Sequence, residues 1–192
     1  MAHIAGEFIN NMLQDKEYKY NEFAGLAKRY IVEEMQQTQK LFEKIVADDK
    51  LQEKIILVSD ICYQALLNKN KIVFCGNGGS AADSQHLAAE LVSKLSYDRP
   101  ALNAIALTTD TSALTAIVND YGYLQLFSRQ VEAIAHEGDV LIGISTSGRS
   151  ANIVNAIKIA KQMNLTTIGL LGENGRDIGE IVDYQINIPS SK

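Results

Sequence analysis

From residue 71 onward, short runs rich in aliphatic and β-branched residues recur at 71–75, 103–107, 140–144, 166–170 and 184–188. Helix-period patterns fill the intervals at 80–95, 111–118, 124–135, 150–163 and 177–182. This alternation constrains the fold more than any other feature of the chain. A parallel neighbour is reached only through a crossover, so strands that alternate with helices build a mostly parallel sheet covered on both faces. The runs are nearly continuous in apolar residues, as strands buried on both sides require. The expected fold class is α/β: an αβα sandwich around a five-stranded parallel sheet.

Ahead of the sheet, Tyr30, Ile31, Met35, Leu41, Phe42, Ile45 and Val46 recur at three- and four-residue spacing. Ile55, Ile56, Val58, Ile61, Cys62, Ala65 and Leu66 make a wider apolar stripe. Together they predict an N-terminal helical hairpin, and a leading hairpin of this kind is expected to serve in oligomerisation. Residues 1–25 are polar and weakly patterned, so they read as a loose N-terminal segment, with a single domain at 26–192.

Composition removes several function classes. The net charge is −5 and Lys and Arg form no cluster, so the chain carries no footprint for nucleic acid. No apolar run approaches the length of a membrane span, and the start of the chain lacks a basic-then-apolar leader. Cys62 and Cys75 make no disulfide framework and have no metal-ligand spacing. A reduced, cytoplasmic protein is expected.

In a parallel sheet, ligands bind beyond the carboxyl ends of the strands. After the first run comes GNGGSAAD, with Gly76, Asn77, Gly78, Gly79 and Ser80 at a strand-to-helix turn. Glycines there admit backbone close to a ligand, and Ser80 is placed to cap a helix whose free N–H groups attract an anion. Gly76, Gly78 and Ala81 also fit a dinucleotide fingerprint. The acidic residue that would complete it should follow about 20 residues on, and the candidate, Asp110, comes too late. A phosphate-type loop is the better reading.

After the third run comes STSGRS, with Ser145, Thr146, Ser147 and Ser150 around Gly148. Hydroxyl and backbone donors at a helix start suit a phosphate ester, and capping by Ser150 alone would leave the other hydroxyls unexplained. Asn119 and Asp120, just before Gly122, are first of all turn residues, and beside a phosphate site they also suit a polyhydroxylated ligand. His86 and Glu90 share a helix face. The pair can hold a divalent metal from one side, supply a base, or simply be an exposed polar pair. A carboxylate beside a phosphate cradle points to acid/base chemistry on a phosphorylated small molecule, and sugar-phosphate isomerisation needs that set.

The stretches CGNGGSAADSQHLAAEL, ALTTDTSALTAIVNDYGY, LFSRQVEA and GDVLIGISTSGRSANI resemble the phosphoheptose isomerases of the SIS (sugar isomerase) fold. The resemblance runs from about Tyr30 to the end of the chain. It implies a cytoplasmic homotetramer that converts sedoheptulose 7-phosphate to D-glycero-D-manno-heptose 7-phosphate for lipopolysaccharide-core synthesis. It further implies that Asn77, Gly78, Gly79, Ser80, Glu90, Asn119 and Asp120 contact the sugar. Ser145, Thr146, Ser147 and Ser150 would hold the phosphate. Glu90 would be the catalytic carboxylate and, with His86, a ligand of one zinc ion per subunit. Family members continue past the IPS strand end into a helix that supplies a glutamine and a histidine to the metal and the chemistry. The sequence stops at Lys192, where that segment is expected to start. A molecule without it should bind zinc weakly and turn over little. The alternative is a related non-catalytic SIS branch that regulates replication by binding the initiator protein. Its glycine loop tends to read GNGTSAAN, and the GNGGSAAD and Glu90 of this chain favour the isomerase.

Overall fold

The computed structural model describes residues 20–190. Helix α1 spans Tyr20–Val46 and α2 spans Asp49–Leu67. Then follow β1 (Ile72–Gly76), α3 (Gly79–Val92), β2 (Ala104–Ala106) and α4 (Thr111–Tyr121). A 3₁₀ turn at Tyr123–Gln125 leads to α5 (Ser128–Ile134), β3 (Val140–Ser145) and α6 (Ala151–Gln162). The last elements are β4 (Thr166–Leu171), the single turn α7 (Arg176–Gly179) and β5 (Tyr184–Asn187). Among the described residues, no helix is long and apolar enough to cross a membrane.

All five strands are parallel, in the order β2-β1-β3-β4-β5. Strand periodicity sorts their side chains into two cores. Ile72, Phe74, Val140, Ile142 and Ile144 face α2 and α3, where they meet Val58, Ala65 and Ala88. Val73, Cys75 and Leu141 face the other way, onto Phe127, Val131, Ile153, Ile157 and Ala160. Every residue of β1 and β3 is buried, as their unbroken apolar runs predict, whereas β2 and β5 at the sheet edges are only partly covered. Gly143 sits in the most central strand because α6 lies directly over it: a Cβ there would stand 2.8 Å from Ile153 Cγ2.

Two expected helices take different forms. The pattern at 124–135 is a 3₁₀ turn followed by a short helix. Leu126 and Phe127 turn into the core, and the buried Ser128 hydroxyl bonds back to the Gln125 carbonyl and side chain. The pattern at 177–182 closes after one turn, with Ile178 buried and Gly179 against the Gln185 side chain.

Both leading helices are present. Residues 20–25, read as part of the loose segment, belong to α1, and residues 1–19 lie outside the described residues. The chain divides after Ala47 into two compact units, and the strands all belong to the one that begins at Asp48. Helix α2 belongs to that unit because Leu51, Val58 and Ala65 are buried. Asp48 caps its start by accepting from the Leu51 N–H at 3.0 Å. In α1, Ile31, Met35, Phe42 and Val46 fall on one side of the helix and are all exposed.

Candidate active site

Strand order sets where a ligand can enter. From β1 the chain crosses over to β2 on one side, and from β3 it crosses to β4 on the other, so a crevice opens between the carboxyl ends of β1 and β3. The two loops singled out in the sequence meet there.

The loop after β3 is a nest of hydroxyls. Ser145 Oγ lies 3.0 Å from Ser150 Oγ and 3.4 Å from Ser147 Oγ, and it accepts from the Gly148 N–H at 3.2 Å. Ser147 Oγ accepts from the Arg149 N–H at 3.3 Å. Ser150 occupies the N-cap of α6 but makes no side-chain capping bond; its hydroxyl turns to Ser145 instead. Gly148 is required by its geometry. Its φ is +64°, and a Cβ would collide with the Gly175 carbonyl. Thr146 is exposed and Ser145 buried. A cleft of about 250 Å³ opens beside this loop, with Thr146, Ser147, Arg149 and Arg176 among its walls.

In the loop after β1, Gly78, at φ +57°, is the N-cap of α3, so Ser80 lies inside the first turn and does not cap the helix. The Ser80 carbonyl accepts from the Ser84 hydroxyl at 2.8 Å. A Cβ at Gly76 would run into that same carbonyl, because helix and strand end approach each other so closely. Asp110, the residue too late for a dinucleotide fingerprint, instead caps α4 by accepting from the Ala113 N–H at 2.9 Å.

Asn77 has two partners that sequence reasoning did not find. Its side chain exchanges paired amide hydrogen bonds with Asn152, at 2.9 and 3.0 Å, across the β1–β3 crevice. Tyr123 donates its hydroxyl to Asn77 Oδ1 at 2.7 Å. Asn152 is fully buried at the second position of α6. The one local signal for it was a polar residue on a helix face that otherwise carries Ile153, Ala156 and Ile157. Asn119 and Asp120 lie in the last turn of α4 rather than beyond it, bonded to each other at 2.7 Å and exposed.

His86 and Glu90 are adjacent on α3, with Nε2 and Oε1 3.7 Å apart. Glu90 is eleven residues beyond Gly79, so at 1.5 Å per residue it stands roughly 16 Å along the helix from the glycine loop. Leu102, shortly before β2, donates to the Leu91 carbonyl at 3.1 Å, and Arg99 closes the helix end by donating to the Glu90 and Leu91 carbonyls at 2.7 and 2.8 Å. Within one chain, Glu90 is therefore carried toward the amino edge of the sheet, away from the serine nest.

The pair fits a divalent metal as part of a ligand set. Its separation is near the roughly 3.3 Å expected between tetrahedral ligands of a zinc ion. Among the described residues, no group of three or more His, Cys, Asp or Glu side chains is arranged to hold a metal. Burial pushes the Cys75 thiol up to about 12 and the Cys62 thiol to about 11.

A parallel sheet with a hydroxyl nest and a glycine turn at its switch point marks an α/β protein that handles phosphorylated small molecules. Comparison with known proteins narrows that class. The SIS domain profile matches residues 35–172, and relatives over most of the chain are phosphoheptose isomerases; the chain belongs to that family. The phosphoheptose isomerase of Nitratiruptor sp. is 53% identical over 163 residues, covering 85% of this chain and 86% of the relative. That of Burkholderia pseudomallei is 48% identical over 162 residues, covering 84% and 82%. The structure of phosphoheptose isomerase GmhA from Neisseria gonorrhoeae superposes with a TM-score of 0.80 at 40% identity, covering 86% of this chain and 88% of that one. The family and the αβα fold expected from the sequence are thereby established, and the replication-regulator alternative is not favoured.

Proposed function

We propose that the chain is an aldose–ketose isomerase that converts sedoheptulose 7-phosphate to D-glycero-D-manno-heptose 7-phosphate, in the service of lipopolysaccharide-core synthesis in the cytoplasm. The observation that carries this reading is the Ser145–Ser147–Ser150 nest at the switch point of a chain about half identical to phosphoheptose isomerases. Hydroxyl and main-chain donors of Ser145, Thr146, Ser147 and Ser150 hold the phosphate. Asn77, Gly78, Gly79 and Ser80, with Asn119 and Asp120, orient the sugar. Glu90 takes a proton from C1 of the ketose while the C2 carbonyl oxygen gains one, which gives the cis-enediol. Glu90 then delivers a proton to C2 as the C1 hydroxyl loses its own, leaving the aldehyde.

The run of α3 favours a Glu90 supplied by a neighbouring copy. The exposed apolar stripe of α1 and the exposed Ile56, Tyr63 and Leu67 of α2 support a homotetramer in which such copies meet. His86 and Glu90 would hold a zinc ion together with ligands from outside the described residues, and when bound it supplies a Lewis acid beside the substrate oxygens.

The test is direct. The purified protein is incubated with sedoheptulose 7-phosphate and zinc, and aldose formation is followed through its anomeric NMR signals. Glu90→Gln should lower kcat at least about 100-fold. Wild-type turnover that survives this change would remove Glu90 from the reaction.

A further inference from the structure

We infer that Asn152 and Tyr123 are positioning residues that lock the Asn77 carboxamide as a single, one-directional donor into the β1–β3 crevice. The inference deepens the isomerase reading, on which its kinetic consequences rest, and the hydrogen-bond count carries it. A carboxamide oxygen accepts two bonds and its nitrogen donates two. Both acceptor places of Asn77 are filled, by Asn152 Nδ2 at 3.0 Å and by the Tyr123 hydroxyl at 2.7 Å. One of its N–H groups is spent on Asn152 Oδ1 at 2.9 Å. Exchanging nitrogen and oxygen in Asn77 alone would break both bonds of the pair, and exchanging them in both carboxamides would turn Tyr123 from donor to acceptor, so the direction is set by the Tyr123 hydroxyl donating to Asn77 Oδ1. One N–H remains. Asn77 therefore reads an acceptor on the ligand, such as a phosphate, carbonyl or hydroxyl oxygen, and has no place for a ligand donor.

The two partners divide the work. Asn152 has no exposed surface, so it cannot reach a ligand itself. Its amide spans from the start of α6 to the end of β1 and ties the two walls of the crevice together. Tyr123 is 53% exposed and is not needed to fill the core. It follows Gly122, whose φ of +81° turns the chain out of α4, so its hydroxyl anchors to the glycine loop the segment that carries Asn119 and Asp120. Removing that hydroxyl frees an acceptor on Asn77 and lets both the amide and the segment drift.

A double-mutant cycle with kinetic readout tests this. Tyr123→Phe should raise KM for sedoheptulose 7-phosphate about fivefold, the loss of one neutral hydrogen bond, with kcat within about twofold. In an Asn77→Ala background the same change should do nothing further. An equal loss in both backgrounds, or an unchanged KM in the first, overturns the proposal. Asn152→Asp, which sets a carboxylate oxygen against Asn77 Oδ1, should match Asn77→Ala if it folds, and the exposed Tyr123 keeps the test decisive if it does not.

Amide exchange followed by ¹⁵N NMR gives an answer independent of activity. The bonded side-chain proton of Asn77 should exchange about tenfold more slowly than those of the exposed Asn119, and Tyr123→Phe should speed it. A wild type that turns over no sugar phosphate but shows this response would sink the isomerase reading and keep the clamp. An Asn77 signal indifferent to Tyr123→Phe would sink the clamp.

Discussion

Asp183, just before β5, accepts from the Thr167 N–H at 2.9 Å, from the Thr167 hydroxyl at 2.7 Å and from the Lys161 ammonium at 2.8 Å. Its partial burial alone would raise the carboxyl pKa, but the bonds from Lys161 and Thr167 outweigh that and hold it below the usual value. A folded-state pKa below the unfolded one, near 3.9, gives stability that is complete above the unfolded value and is lost as pH falls through the folded one. Asp183→Asn should therefore lower the unfolding free energy by about 1 kcal/mol at pH 7, a modest figure because the side chain is 34% exposed and screened. The gap between variant and wild type should begin to narrow below about pH 4 and close as pH falls through the lowered folded pKa. Urea titrations at pH 7 and pH 3 read both numbers, and a gap unchanged at pH 3 would assign the loss to geometry instead of charge.

At the scale of elements, helix α6 and strand β3 depend on each other through Gly143. Gly143→Ala pushes a methyl group onto the buried Ile153, and overpacking of this kind costs about 1–3 kcal/mol, several degrees in Tm. Calorimetry should show that loss with the isomerase activity per folded molecule preserved. All five strands were legible: β1 and β3 as unbroken apolar runs buried on both faces, and the partly covered β2 and β5 through their alternation with helix patterns. Helix ends were less legible. Whether Ser80 or Gly78 caps α3 turns on a positive φ that composition does not encode, and the break at Leu126–Phe127 is decided by the core beneath it. The serine nest was readable because hydroxyls were crowded into six residues. The Asn77–Asn152 pair was not, since its members are 75 residues apart and nothing in either local sequence points to the other.

At the scale of the whole molecule, the proposed isomerase site, with the serine nest at the carboxyl ends of the strands and Glu90 toward their amino ends, predicts that two chains share it. Mixing Glu90→Gln protein with Ser147→Ala protein, after brief dissociation and reassembly, should restore measurable turnover that neither variant has alone. Mixtures as inactive as their parents would place both groups in one chain's site. The same sheet also limits how copies can join. Its outer strands, β2 and β5, are only three and four residues long, too short to template a further strand from a neighbour. Growth by edge-to-edge pairing, the route by which parallel sheets run on into fibrils, is closed at both margins. In the proposed oligomer, copies are then expected to meet through helix surfaces, where side-chain complementarity limits how many can join.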